Sequence, residues 1–190
     1  EFPYYMSHPS KIIALWEGGY TFYGALAGAM GFMYLYCKIV RIPFLQFSDI
    51  ASPGTALGLF IGRTGCFFAG CCWGRPSSLP WAVTFSNPNA FTDNHAVAVH
   101  PTQLYEAFGG LLIFLYLERR FKSRRFAGQI TFNGLIAYAI LRFVIEFFRG
   151  DDYRGFVFGG FLSYSQLISL ALIPLIFSAI IIYSKDTNRF

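Results

Sequence analysis

Residues 129–149 read QITFNGLIAYAILRFVIEFFR, and the fold turns on how this stretch is interpreted. It has the length needed to cross the hydrocarbon core of a bilayer, about 20 residues of helix. Its charged groups before the end are Arg142 and Glu146, four residues apart and therefore on one helix face. A charged side chain at mid-membrane costs roughly 2.5–3.5 kcal/mol on insertion scales, so such residues are retained where they pair or serve a site. Two readings stand side by side: a structural ion pair that fixes helix packing, and an anion-binding arginine oriented by its glutamate. Arg149, one turn further on, adds positive charge near the headgroup level.

Four similar apolar runs surround this one, at residues 19–37, 47–69, 101–117 and 161–183. The first is closed by Lys38 and Arg41 and is rich in small residues from Gly24 to Gly31, which favour close helix contact in a membrane. Pro53 is expected to break or start a helix in the second run, and Pro174 to kink the last. Between the second and third runs, residues 72–99 are polar and hold Pro76, Pro80, Asn87, Pro88, Asn89 and Asn94. The expected fold is all-α: one polytopic transmembrane domain over residues 1–190, with about five spans and a small extracytoplasmic head at 72–99.

Composition agrees. Of 190 residues, 55% are hydrophobic and only 13% charged, about half the charge of an average soluble domain. The net charge of +5 comes from short basic clusters between apolar runs. On alternate loops, Lys38, Arg41, Arg119, Arg120, Lys122, Arg124, Arg125, Lys185 and Arg189 fall on one side, against Lys11, Arg75, Arg149 and Arg154 on the other. The positive-inside rule makes the first side cytoplasmic. No basic patch interleaved with aromatics is present, so nucleic acid is not an expected partner.

Other polar residues sit inside or beside the spans. Arg63, late in the second run, is flanked by Gly62 and Gly65. It reads either as a snorkelling side chain or, with Arg142 and Arg149, as part of a grip on a lipid phosphate, whose oxygens match guanidinium forks. The segment His100-Pro101-Thr102-Gln103-Leu104-Tyr105-Glu106 opens the third span. Proline suits a first helical turn, and Gln103 and Glu106 then share a face. The adjacent Cys71 and Cys72 read as small packing residues, as a redox pair, or as a disulfide partner for Cys66; Cys37 reads as packing. The four cysteines make neither a disulfide framework nor a zinc-type spacing with histidine.

Together these segments resemble the bacterial prolipoprotein diacylglyceryl transferase family. The resemblance rests on Gly62-Arg63-Thr64-Gly65-Cys66-Phe67 continuing to Gly74-Arg75-Pro76 and Pro80 to Val83, on Gly18 to Gly24, on His100 to Glu106, on Tyr138 to Arg149, and on Leu162 to Gln166. It covers nearly the whole chain. The family has seven transmembrane helices, so the resemblance, with a first residue Glu1 rather than methionine, implies a chain lacking two upstream helices. It further implies an inner-membrane enzyme, active toward the extracytoplasmic side. That enzyme moves the diacylglyceryl group of phosphatidylglycerol to the lipobox cysteine of prolipoprotein signal peptides, with membrane lipids around it and no cofactor or metal.

By the same resemblance, Arg63, Arg142, Glu146, His100 and Tyr23 are the expected catalytic set. Gly74, Gln103, Glu106, Arg149 and Gly62 are the expected substrate-binding set. Arg63 and Arg142 hold the phosphate, Glu146 orients Arg142, and Gly74 is the essential glycine of the signature. The chain departs from the best-known form of the family in three places. Tyr23-Gly24-Ala25 replaces a histidine followed by two glycines, and Cys66 and Cys71 stand in place of an asparagine and a glutamate. These departures leave the general base unassigned. Two other functions compete, a membrane thiol-redox protein using Cys71 and Cys72, and a non-catalytic lipid-binding paralogue.

Overall fold

A computed structural model of the protein describes residues 22–92, 95–150, 156–157 and 162–187, with the backbone alone at 22–27, 156 and 185–187. The described chain divides into two compact units, one ending at Phe44 and one beginning at Leu45. In the first unit, α1 spans Phe22–Val40. Its end is closed by the Ile42 amide donating to the Cys37 carbonyl, with Arg41 in a left-handed conformation at φ 58°. Lys38 lies 5.0 Å above the Tyr34 ring.

The second unit holds α2 (Phe44–Ala69), α3 (Thr102–Phe121), α4 (Gln129–Glu146) and α5 (Tyr164–Thr187). The helices fall on the expected apolar runs, shifted by a few residues at their ends. One departure from all-α is a two-residue antiparallel ladder, β1 (Phe156–Val157) with β2 (Leu162–Ser163). Two helical stretches, Gln129–Glu146 and Tyr164–Ser184, are long and apolar enough to cross a membrane. On α5 Ile168, Leu170, Leu172, Leu175 and Phe177 are all exposed; an apolar helix exposed on several sides suits a lipid surround. The site is built by polar residues on the other two helices of this unit together with Arg142 and Glu146 near the end of α4.

Pro53 does not break α2, which runs unbroken through it. Proline removes one helical N–H, that which would reach the Asp49 carbonyl, and leaves the rest of the ladder in place; serine and threonine nearby back-bond to carbonyls four residues earlier. Here the Ser52 hydroxyl donates to the Ser48 carbonyl at 2.7 Å, and the Thr55 hydroxyl to that of Ala51 at 3.0 Å. Helix α5 likewise continues through Pro174.

The helices meet around Ala56, Ile113, Leu117 and Ile130, with Phe114, Phe121, Tyr138 and Leu141 packed beside them. Close approach of α2 and α3 centres on Gly110, where an added β-carbon would lie 3.2 Å from the Ala56 carbonyl and the Phe60 amide. A polar contact fixes the other end of α2. Asp49, with 0% exposure, accepts hydrogen bonds from the Gly128 amide at 2.9 Å, the Thr131 amide at 3.0 Å and the Thr131 hydroxyl at 3.1 Å. Gly128 and Thr131 are the N-cap and third residues of α4, whose amides have no partner inside their own helix. Asp49 therefore caps α4 from another helix and meets the positive end of its dipole.

Asp49→Ala would strand both amides in a dry interface. It is expected to cost about 2–3 kcal/mol, read as a lower thermal midpoint of the detergent-solubilised protein. Asp49→Asn, which keeps one acceptor oxygen, should lose less. An unchanged midpoint in Asp49→Ala would dismiss the clamp.

Candidate functional site

Polar side chains collect at one end of the second unit, where α2 finishes, α3 begins and α4 finishes. Helix α3 buries the stripe Thr102, Gln103, Glu106, Ala107, Gly110, Ile113 and Leu117. The spacing is that of one helix face, apolar at its far end and polar at its start. Thr102, Gln103 and Glu106 are each 1% exposed. A buried carboxylate must be paired, and Arg63 of α2 supplies the pair, with Nη2 3.0 Å from Glu106 Oε1. The two groups are close without hydrogen-bond alignment, so Glu106 Oε1 has its charge compensated and its hydrogen-bonding capacity still open.

On α4, Arg142 Nη2 lies 2.8 Å from Glu146 Oε2 across one turn. Both side chains are largely buried, yet Arg142 Nη1 has no hydrogen-bond partner among the described residues; nor has Gln103 Oε1. Tyr138, one turn before Arg142, links the two ion pairs, being close enough to interact electrostatically with Glu106, Arg142, Arg63 and Arg149. The arrangement offers guanidinium donors and two open acceptor atoms, suited to an anion bearing hydroxyl groups.

The loop after α2 is held tightly. The Gly70 amide donates to the Phe67 carbonyl and the Cys71 amide to that of Cys66, both at 3.1 Å, with Gly70 at φ 70°. This is the left-handed helix ending that favours glycine. Cys72 is left-handed too, at φ 61°, uncommon for a residue with a side chain. Helix α3 clamps both carbonyls: Gln103 Nε2 donates to that of Cys71 at 2.7 Å, and the Thr102 hydroxyl to that of Cys72 at 2.9 Å. The result brings the sulfurs of Cys66, Cys71 and Cys72 within 4.8 Å of one another, all as free cysteines. Burial, and then the neighbouring Cys72 and Cys66, push the Cys71 thiol up to about 12. On its own it is a protonated thiol at neutral pH, a poor nucleophile for redox exchange.

Gly74 follows, in a short ladder. Its amide donates to the His100 carbonyl at 2.9 Å, the Arg75 amide to the Phe148 carbonyl at 2.9 Å, and the His100 amide to the Arg75 carbonyl at 3.0 Å. Gly74 also bridges Arg149, which is 5% exposed. A β-carbon on Gly74 would run into the Phe148 carbonyl oxygen, the Thr102 methyl and the His100 β-carbon.

The structure therefore brings Arg63, Gln103, Glu106, Arg142 and Glu146 to one end of the bundle, with Gly74 and Arg149 in the ladder beside them. The His100 side chain sits among aromatics, its Nδ1 3.2 Å from the Tyr105 hydroxyl and its ring stacked edge-on with Phe148. That hydroxyl accepts from Trp81 Nε1 at 2.8 Å. Gly62 is exposed and has open space around it. The side chain of Tyr23, like Gly18 to Tyr20, lies outside the described residues. Sequence reasoning missed the Arg63–Glu106 pairing, the position of Tyr138 and the capping by Asp49. The available signal was the need of each buried acid for a partner.

Helices apolar enough to span a bilayer, burying arginine–glutamate pairs at one end, define a helical membrane protein with a buried charged site. A family model described as prolipoprotein diacylglyceryl transferase matches residues 2–183, and the chain belongs to that family. Relatives named phosphatidylglycerol–prolipoprotein diacylglyceryl transferase include that of Bordetella avium, 37% identical over 188 residues and covering 98% of this chain and 68% of its own length. The Finegoldia magna protein is 41% identical over 174 residues, 91% of this chain and 65% of its own. That of Wolbachia pipientis wMel is 36% identical over 189 residues, 97% and 68% respectively. The chain thus spans about two thirds of the length of these relatives.

Gly74→Ala forces a methyl group against backbone that cannot rotate away. A cost at the upper end of the 1–3 kcal/mol range for overpacking is expected, seen as a lower thermal midpoint of the full-length protein in detergent. Retention of the wild-type midpoint would show that the ladder tolerates a side chain there.

Proposed function

We propose that the protein transfers the diacylglyceryl group of phosphatidylglycerol to the lipobox cysteine thiol of prolipoproteins at the extracytoplasmic face of the bacterial inner membrane. Family membership supports the reaction. The observation that carries the site is the buried Arg142, whose Nη1 has no hydrogen-bond partner among the described residues while Nη2 is held by Glu146. One edge of the guanidinium is anchored and another is open to a ligand.

The reaction needs a sulfur nucleophile and a leaving phosphate. The acceptor thiol loses its proton, its sulfur forms a bond to the terminal glyceryl carbon, and that carbon's bond to the phosphate oxygen breaks. Glycerol phosphate departs with the electron pair. Negative charge grows on the departing oxygen, and arginines already fixed in place stabilise it without reorganising. Arg63 and Arg142 take that role, positioned by Glu106 and Glu146. The four cancel in charge, and Arg149 brings the named groups to +1, matched to a singly charged phosphodiester. Gln103 Oε1 and Glu106 Oε1 accept from the glycerol hydroxyls. Gly74 keeps the ladder close, and His100 fixes the loop through Tyr105 and Phe148. Gly62 leaves room beside Arg63 for substrate. Tyr23 remains a candidate to assist proton removal.

The polytopic arrangement and its orientation belong to the same reading. Arg119 and Arg120 in the last turn of α3, and Lys122, Arg124 and Arg125 between α3 and α4, lie at the end remote from Arg63, Glu106 and Glu146. Basic residues there favour the cytoplasmic side, which turns the site outward.

In membranes holding the full-length protein, phosphatidylglycerol and a lipobox peptide, mass spectrometry should detect a diacylglyceryl increment on the peptide. Arg142→Ala should lower the rate by about 10²–10³-fold, and Arg142→Lys should recover only part of it, because an ammonium lacks the planar fork. Undiminished transfer by Arg142→Ala would remove that residue from the phosphate site. No transfer by correctly inserted wild-type protein would overturn the function.

A further inference from the structure

The three thiols at the end of α2 have no part in the phosphate chemistry. Two left-handed residues, Gly70 and Cys72, fold the chain back, so that Cys66 in the last turn of α2 meets Cys71 and Cys72. A non-glycine residue in that conformation costs energy and persists where its surroundings hold it; here Gln103 and Thr102 grip the carbonyls of Cys71 and Cys72. A disulfide would use two of the sulfurs and strand the third. A metal ion uses all three.

Resting on the function proposed above, we infer that Cys66, Cys71 and Cys72 bind a zinc ion whose fourth position receives the acceptor thiol of the prolipoprotein. Zinc takes thiolates in a tetrahedron at about 2.3 Å, which sets the sulfurs about 3.8 Å apart. The three sulfurs lie within 4.8 Å of one another and half-buried, so closure by about 1 Å through side-chain rotation forms the site. Three protein ligands and one open position is the pattern of catalytic rather than structural zinc. The metal deprotonates the thiols that coordinate it.

Charge and position fit this use. Three thiolates with Zn²⁺ sum to −1, and a fourth thiolate to −2, leaving the bound sulfur electron-rich. Arg63 is near enough to interact with Cys72 and Cys66 as well as Glu106. A phosphate-holding arginine is thus a neighbour of the sulfur cluster, as the reaction requires, since attacking sulfur and leaving oxygen must flank one carbon. The balance closes without an oxidant or reductant. The acceptor thiol gives up its proton to water on binding zinc, its sulfur forms the carbon–sulfur bond, and the carbon–oxygen pair leaves on glycerol phosphate. The resulting thioether is a weaker zinc ligand and departs. Zinc thus supplies the thiolate that the unassigned base would otherwise have to generate.

The test is elemental analysis of the full-length protein purified from membranes in detergent. Roughly one zinc per chain is expected, falling by about tenfold or more in Cys66→Ser and Cys72→Ser. In protein loaded with Co²⁺, the sulfur-to-cobalt charge-transfer band should grow when a lipobox peptide is added, and not with its Cys→Ser counterpart. Chelation should abolish transfer and added zinc restore it, whereas Arg142→Ala should lose transfer and keep its zinc. Three free thiols without metal, a native disulfide among them, or copper in place of zinc would each overturn the site. Stoichiometric zinc whose removal leaves transfer unchanged would overturn the thiol-activating role. Bound zinc with no transfer in any preparation would sink the proposed function and with it that role, while leaving the metal site standing.

Discussion

Ionic groups removed from water must be paired, and the second unit is organised around that requirement. A single unpaired carboxylate or guanidinium between helices costs several kcal/mol even after relaxation. Three buried acids, Asp49, Glu106 and Glu146, are each answered by a different device: the amino end of α4, Arg63 of α2, and Arg142 one turn away. Two of these devices act on α2 at positions fourteen residues apart, about 21 Å along the helix. Helix α2 is thereby pinned to α4 at one end and to α3 at the other, and the small core around Ala56, Ile113, Leu117 and Ile130 fills the space between. Register among the helices follows from charge before it follows from shape.

The same pinning makes the site rigid. Its side chains stand on helices near their ends, and the loop that carries Cys71, Cys72 and Gly74 is tied to the first turn of α3 by side chains and to His100 and Phe148 by backbone hydrogen bonds. Catalysis by fixed charge depends on groups that need not move when charge develops. Thr102 and Gln103 contribute by holding carbonyls, which leaves Glu106, three residues on from Gln103, to face Arg63. One buried stripe of α3 thus serves loop geometry at its first turn, electrostatics at its second and packing beyond.

Much of this was legible in the sequence because membranes and helices impose long, simple periodicities. The apolar runs placed the five helices of the described residues, and four-residue spacing placed Arg142 beside Glu146. Pro53 misled, because a proline's lost hydrogen bond is one local deficit in a helix of 26 residues held at both ends. The Arg63–Glu106 pair was hidden because it joins residues 43 positions apart in the chain, and no local period reports such a contact. Asp49 was overlooked as an ordinary polar residue near a span's start, although an acid there calls for a donor. The three cysteines carried the weakest signal: spaced four residues and none, they match no metal motif, and they converge only because Gly70 and Cys72 reverse the chain.

Two of the three departures from the best-known family form, those at Cys66 and Cys71, acquire a common cause when these thiols are taken as a unit. The best-known form's asparagine and glutamate at positions 66 and 71 offer an amide and a carboxylate, hard oxygen and nitrogen groups with no affinity for a soft metal. Cysteines at both positions, with a third at 72, take away those groups and supply soft ligands in their place. A thiol near pKa ~8.5 needs either a proton acceptor or a strong positive centre, and three sulfurs can recruit the second. Under the proposed function, Arg63 and Arg142 need no change in such an exchange, because stabilising the leaving oxygen is independent of how the thiolate is made. Arg63 is common to both halves of the reaction, paired with Glu106 and close enough to feel Cys66 and Cys72. The nucleophile-generating half can therefore differ between branches of the family while the arginine half stays in place.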